Sequence, residues 1–147
     1  MEVSLEQVNQ MMAPHFPGLF GVEFMEVSPG HSVCKVTMNE RMGNPMGVLH
    51  GAVHYTLADT GMAMALLPMM EDGQSFTTIE IKMSYFKAVF EGTITCETRV
   101  VQKGNRIAFL ESEVRDARRS SQPQRARTTS CPANRTTNCQ PASVARM

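Results

Sequence analysis

Three residues that could do chemistry lie at the start of, or within, the most apolar segment of the chain. His50 and Gly51 precede this segment, and Asp59 lies eight residues after Gly51. A backbone amide at the start of a helix is an unpaired donor in a positive field, so it favours an anion or a developing negative charge. A carboxylate can attack an electrophile or draw a proton from water. The two groups together indicate chemistry at a polarised centre such as a carbonyl.

The distance between these groups limits how they can cooperate. At about 1.5 Å of rise per residue, Gly51 and Asp59 lie roughly 12 Å apart along one helix. One copy of the chain does not easily complete a site from both. A buried acid is also unfavourable unless it is hydrogen-bonded, which leaves a structural interpretation open in which Thr56 or Thr60 bonds Asp59.

His50 and His54 form a second candidate pair, because i, i+4 spacing places two imidazoles on one helix face. The glutamate of an HExxH motif is absent, since Ala52 and Val53 lie between them, and the spacing signals no third ligand. We therefore predict no metal site. His50 is expected to bond the loop backbone or to polarise a carbonyl, and His54 to be structural.

Two elements precede the apolar segment. Apolar residues at helical spacing after Ser4, a possible N-cap, predict a short helix. Two alternating segments around Pro29-Gly30 then predict a β-hairpin.

The segment that follows Gly51 is apolar around nearly its whole circumference, which predicts a buried helix ended by Pro68. Three further segments alternate with period two, beginning at Ile79, Ile94 and Ile107, and predict strands. This order predicts an α+β fold with one helix on an antiparallel sheet.

Length and composition restrict the class of protein. The 147 residues fit one domain, and 42% hydrophobic with 19% charged residues is typical of a packed globular protein. No run approaches the roughly 18 apolar residues that cross a bilayer, and the first residues lack a signal-peptide pattern. The four cysteines share no CxxC spacing. We expect a cytoplasmic protein that binds no membrane.

Charge is divided unevenly along the chain. Residues 1–116 hold eight basic and fourteen acidic residues, a net charge of −6, whereas residues 117–147 hold six arginines and no acid. An acidic body is poorly suited to neutralising phosphates, so we expect no nucleic-acid partner.

The loop sequence NPMGVLHG, residues 44–51, followed by a helix that carries Leu57-Ala58-Asp59, resembles the PaaI-like branch of the hotdog thioesterases. The resemblance covers about residues 15–116. It departs at one place, because Ala52 stands where the family usually has a second glycine after the motif histidine.

The resemblance implies a hotdog fold, with a long central helix wrapped by a curved antiparallel sheet, and hydrolysis of acyl-CoA substrates without a cofactor. Asp59 matches the catalytic carboxylate, Gly51 the oxyanion-binding amide, and His50 the motif histidine. Asn44 matches a loop asparagine that could orient water, and Thr78 a hydroxyl at the start of the next strand. By residue type alone, Asn44 is also a turn former and Thr78 an ordinary strand residue.

The resemblance also implies a homo-oligomer. In the family two subunits pair their sheets, and the carboxylate of each site comes from the opposite subunit. We therefore expect a homodimer, and a homotetramer of paired dimers is also open.

The end of the chain does not fit the family. Residues 117–147 contain no leucine, isoleucine or phenylalanine, so we place the hotdog domain at residues 1–116 and predict no buried strand in the tail. Two explanations stay open: the reading frame is shifted near residue 117, or the tail is a natural disordered basic extension. A missing last strand would leave backbone groups of its neighbours unpaired.

Other functions also stay open at this level. Hotdog domains can bind acyl-CoA without cleaving it, and a hotdog hydratase would need a different arrangement of acid and histidine. A purely structural dimer is the third alternative. The residues do not indicate which acyl group is preferred.

Overall fold

The computed structural model describes residues 4–117 and the backbone of residues 124–134. Six strands form one antiparallel sheet in the order β1-β2-β4-β5-β6-β3. Numbered along the chain, the strands are Glu23–Ser28, His31–Thr37, Gln74–Ser84, Thr93–Lys103, Ala108–Asp116 and Gln124–Asn134. The helices are α1 Leu5–Met12, α2 Phe16–Leu19 and α3 Gly51–Leu66, with 3-10 turns at Glu40–Met42 and Leu67–Met69.

The N-terminal elements confirm the predicted helix and hairpin. Ser4 and Gln7 form a capping box, in which each side chain bonds the backbone N–H of the other and so satisfies donors at the start of α1. The turn between β1 and β2 contains Gly30 at φ +83°, a left-handed conformation that glycine adopts without a steric cost.

Helix α3 lies on the sheet and is the buried helix that the sequence predicts. Eleven of its sixteen residues are buried, and it packs mainly on β2, β4 and β5. Helix and sheet lie close together at Gly61, whose carbonyl accepts a 2.7 Å hydrogen bond from the Ser32 hydroxyl. A Cβ at Gly61 would stand 2.7 Å from the Thr98 hydroxyl oxygen, so any larger residue there would force helix and sheet to shift.

One stripe of α3 stays open on an otherwise buried helix. Ala52 and Tyr55 are exposed and Asp59 is half-buried, at i, i+3 and i+7. These positions lie on one helical face because the helix has 3.6 residues per turn. The described chain therefore covers every side of α3 except the one that carries Asp59.

Strand β3 lies at the edge of the sheet and starts five residues earlier than the alternation of apolar side chains predicts. Its first residues, from Gln74, pair through their backbone with β6 and need no apolar pattern. The register shifts between Thr78 and Glu80, which places a bulge in the strand. Thr78 therefore lies inside β3, beside the bulge, and not at its start.

The structure corrects the prediction that no strand follows residue 116. The backbone of β6 pairs with β5 on one side and with β3 on the other. The prediction depended on apolar side chains, whereas the sheet ladder is formed by backbone groups, which every residue except proline can supply in full. Residues 118–123, residues 135–147 and the side chains of β6 lie outside the described residues, so both explanations of the tail stay predictions.

None of the helices in the described ranges combines the length and the apolar character needed to span a bilayer.

Candidate active site

His50 caps the start of α3, which is the first of its two predicted roles. Its ring Nδ1 accepts a 3.0 Å hydrogen bond from the N–H of Ala52, and its carbonyl accepts one from the N–H of Val53. Its own N–H donates to the carbonyl of Met42 at 2.8 Å. Because Nδ1 accepts, a neutral His50 ring carries its proton on Nε2 and presents that N–H as a donor.

Gly51, the first residue of α3, has the amide that this cap leaves free. Among residues 4–117, the Gly51 N–H has no hydrogen-bond partner, whereas the N–H groups of Ala52 and Val53 are both satisfied by His50. An unpaired N–H at a helix N-terminus adds to the positive end of the helix dipole. The structure therefore presents one donor at the position that the sequence assigns to anion binding.

Asn44 shapes the loop that leads into the helix. Its side-chain Oδ1 accepts from the N–H of Met46 at 2.9 Å and from the N–H of Val48 at 3.3 Å. The backbone N–H of Asn44 donates to the carbonyl of Val48 at 2.8 Å. This is the turn-forming role expected of an asparagine, and only its Nδ2 donors have no partner among the described residues.

Asp59 and Thr78 meet at the other part of the site, between α3 and the edge strand. The Thr78 hydroxyl donates a 2.9 Å hydrogen bond to Asp59 Oδ1. The alternative partner Thr56 instead donates its hydroxyl to the carbonyl of Ala52 at 2.9 Å. Asp59 is half-buried, so the expected buried acid is partly solvated and is held by the hydroxyl that the family resemblance indicates.

Tyr85, which the sequence did not single out, lies against the start of α3. Its hydroxyl donates a 3.1 Å hydrogen bond to the carbonyl of Gly51. Burial raises its pKa, so the phenol keeps its proton and remains a donor. Its ring carbons lie 3.2 to 3.3 Å from the place of a Cβ on Gly51, so a larger residue there would press on the ring. An aromatic directly after a strand is too common a signal to mark this contact in a sequence.

A cavity of about 350 Å³ opens beside the Gly51 end of α3. It is lined by Val48, Leu49, Gly51, His54, Tyr85, Phe86, Lys87 and Ala88. The volume falls within the range of small-molecule sites, and the lining is predominantly apolar with few polar groups. An acyl chain is a ligand of matching chemistry for such a cavity.

The predicted site residues thus form two groups in one chain. His50 and Gly51 lie at the start of α3, and Asn44 shapes the loop that leads into it. Asp59 pairs with Thr78 about two helical turns further along. Across the residues that the structure describes, no three His, Cys, Asp or Glu side chains cluster so as to hold a metal ion.

Comparisons with known proteins agree with this architecture. A family model described as thioesterase superfamily matches residues 46–121. Human acyl-coenzyme A thioesterase 13 is 29% identical over 118 residues, which are 78% of this chain and 84% of the human protein. The family model covers four of the predicted site residues, His50, Gly51, Asp59 and Thr78, and Asn44 lies just before its range.

Solved structures show the same fold. A mutant thioesterase from Pseudomonas aeruginosa superposes with a TM-score of 0.82 at 19% identity, over 90% of this chain and 95% of that one. A mutant of the phenylacetic acid degradation protein PaaI from Thermus thermophilus gives a TM-score of 0.72 at 20% identity, over 79% of this chain and 96% of that one. The predicted fold and the predicted membership of the thioesterase family are confirmed.

Proposed function

This chain belongs to the thioesterase superfamily and has its hotdog fold, and we propose that it hydrolyses acyl-CoA with Gly51 as oxyanion donor and Asp59 as catalytic carboxylate. It is a thioester hydrolase, and the proposal concerns its substrate, its catalytic residues and its assembly. The observation that carries the proposal is the free Gly51 N–H at the start of α3.

Thioester hydrolysis places developing negative charge on the carbonyl oxygen. A fixed N–H at a helix N-terminus stabilises that charge without reorganisation during the reaction. The neighbouring donors are occupied by His50, so the substrate carbonyl has one backbone donor to bind, that of Gly51. The Nε2–H of His50 and the Nδ2 donors of Asn44 are further groups that can bind the oxyanion or orient water.

Asp59 supplies the second function. It either takes a proton from water as the water attacks the carbonyl carbon, or attacks that carbon itself to form an anhydride that water then cleaves. In both routes the C–S bond breaks, CoA leaves as the thiolate and the acyl group leaves as the free acid. The 2.9 Å hydrogen bond from Thr78 holds one carboxylate oxygen and leaves the other for this chemistry.

A second copy of the chain is needed to bring these groups together. Along one helix, Gly51 and Asp59 are roughly 12 Å apart, which is too far to share one carbonyl. The open stripe of α3 carries Asp59, and the adjoining β3 is an edge strand with Ile79 42% exposed. An edge strand presents unpaired backbone groups that a second copy can bond, which buries the open stripe. We propose a homodimer in which each Asp59 serves the Gly51 of its partner.

A CoA-release assay tests the activity. The protein is incubated with aliphatic and aryl acyl-CoA substrates, and a thiol-reactive dye reports free CoA. We expect release with at least one substrate and its loss in Asp59→Asn, with an unchanged thermal unfolding midpoint. Binding of acyl-CoA without release would instead support a non-catalytic binding module, and retained turnover in Asp59→Asn would remove Asp59 from its role.

Mixing two inactive variants tests the shared site. Asp59→Asn keeps the Gly51 amide, and Gly51→Pro keeps the carboxylate but lacks the amide proton. After unfolding and refolding together, random pairing of a twofold dimer makes half of the dimers mixed, each with one intact site, so about a quarter of the wild-type activity should return. Mixing that restores no activity would place both groups in a single chain.

A further inference from the structure

His54 is a buried polar residue that the proposed chemistry does not use. It is 2% exposed, and within the described part of the chain neither ring nitrogen has a hydrogen-bond partner. Burial lowers the pKa of His54 below its usual 6.5. The carbonyl of His50, one turn earlier, opposes this shift because it is near the ring, although the two do not form a hydrogen bond of good geometry. An unpaired polar group in the interior is costly, and most such groups in native proteins serve a purpose.

His54 lies at the cavity beside Gly51. It lies one turn after Gly51 on α3 and lines the same cavity, which is otherwise formed mainly by apolar residues and includes Lys87. Its ring meets Tyr85 edge to face, with 5.8 Å between the ring centroids and 90° between the ring planes. Tyr85 in turn bonds the carbonyl of Gly51. The unpaired imidazole is therefore part of the wall beside the proposed oxyanion donor.

We propose that His54 determines substrate specificity by hydrogen-bonding an oxygen on the third carbon of the acyl chain, so that 3-hydroxyacyl-CoA is the preferred substrate class. This inference rests on the proposed function. A neutral imidazole has one donor and one acceptor nitrogen, and a hydroxyl can satisfy either of them. A purely aliphatic chain would leave both nitrogens unpaired.

The spacing along α3 selects the position of that oxygen. The three residues from Gly51 to His54 span about 4.5 Å along the helix axis, which is roughly the reach of a substituent two carbons beyond a carbonyl held at Gly51. An oxygen much further along the chain would pass the imidazole and enter the apolar part of the cavity.

Tyr85 is the residue that moves to admit the chain. The ring nitrogens of His54 are covered in the free protein, and the Tyr85 ring lies over Gly51, where the acyl group must approach. Tyr85 is 51% exposed and bonds Gly51 through its hydroxyl, so a rotation of its side chain toward solvent costs little packing. Such a rotation opens Gly51 and His54 together.

The experiment compares kcat/KM for 3-hydroxyhexanoyl-CoA and hexanoyl-CoA, two substrates that differ by one hydroxyl. We expect the wild-type protein to prefer the hydroxylated substrate by about tenfold, the effect of pairing an otherwise unsatisfied buried group. His54→Phe keeps a ring against Tyr85 but has no nitrogen, and its ratio should fall to about one. His54→Gln restores a donor and an acceptor, and its ratio should exceed that of His54→Phe.

Each outcome decides the inference. A wild-type ratio near one overturns the inference by itself. The inference can therefore be tested even if a His54 variant fails to fold. A preference that persists in His54→Phe also overturns it, because the hydroxyl is then recognised elsewhere. Hydrolysis of other acyl-CoA substrates without preference leaves the proposed function intact, whereas no CoA release from any substrate overturns both.

Discussion

Replacement of Gly51 by proline removes the amide proton and puts the ring carbon Cδ in its place. Gly51 is the first residue of α3, the helix position at which proline is best tolerated because the N–H there has no intrahelical partner. The preceding His50 has φ −63° and ψ 136°, the extended conformation that a residue before proline prefers. The fold should therefore accept Gly51→Pro without loss of a hydrogen bond.

The expected size of the effect follows from the role of the amide. Loss of one oxyanion-hole donor costs about 10²–10³ in kcat, or about 2.7–4 kcal/mol of transition-state stabilisation. Since the Gly51 N–H has no partner in the described residues, its loss should change the free energy of unfolding by less than about 1 kcal/mol. A large kinetic effect with a small effect on stability is the signature of a catalytic donor.

Gly51→Ala is the matched control. It adds a Cβ 3.2 to 3.3 Å from the Tyr85 ring, as proline also does, but it keeps the N–H. Tyr85 is half exposed and can shift by a few tenths of an ångström, so alanine should retain activity within about tenfold of the wild type. The assay is CoA release under saturating substrate, with thermal unfolding of each variant in parallel.

Two results would refute this reasoning. If proline and alanine reduce kcat equally, the loss comes from crowding of Tyr85 and not from the missing donor. If Gly51→Pro stays as active as Gly51→Ala while both remain folded, the oxyanion is bound by another group, and the Nε2–H of His50 becomes the first candidate.

Three further predictions concern stability. Gly61→Ala should lower the free energy of unfolding by about 1–3 kcal/mol in urea, because its Cβ would stand 2.7 Å from the Thr98 hydroxyl oxygen; an unchanged midpoint would contradict this packing. His50→Ala should cost about 1 kcal/mol through loss of the cap on Ala52, and His50→Asn, which restores an acceptor, should recover most of it. Burial lowers the pKa of His54, so below pH 6.5 the unfolded state binds a proton that the folded state does not. The free energy of unfolding, measured by urea titration, should therefore fall more steeply with decreasing pH in the wild type than in His54→Phe. Equal slopes in the two proteins would mean that His54 is as readily protonated in the folded state as in the unfolded state.

The elements defined by neighbouring residues were predictable from the sequence. Ser4 and Gln7 are three residues apart, and their capping box forms as soon as the helix does. The Pro29-Gly30 turn and the start of α3 at Gly51 are likewise decided by backbone preferences within a few residues. His50 could be assigned to the loop for the same reason, since it bonds the N–H of Ala52 two residues later.

Contacts between distant residues were decided only by the tertiary structure. The contact of Thr78 with Asp59 spans 19 residues, and its pairing was suggested by family resemblance and by no local pattern. The contact of Tyr85 with Gly51 spans 34 residues, and no pattern in the sequence predicted it. The early start of β3 depends on its backbone pairing with β6, a partner about fifty residues away along the chain.

His54 shows most directly what local sequence predicts and what only the tertiary structure decides. Its spacing from His50 gave two interpretations, a metal ligand or a structural side chain, and local reasoning could not describe its surroundings. Packing of α3 on the sheet buried its ring, left both nitrogens unpaired and set it beside Tyr85 and the cavity. Helix spacing determines which residues share a face, whereas the desolvation and partners of a side chain depend on every element that packs against that face.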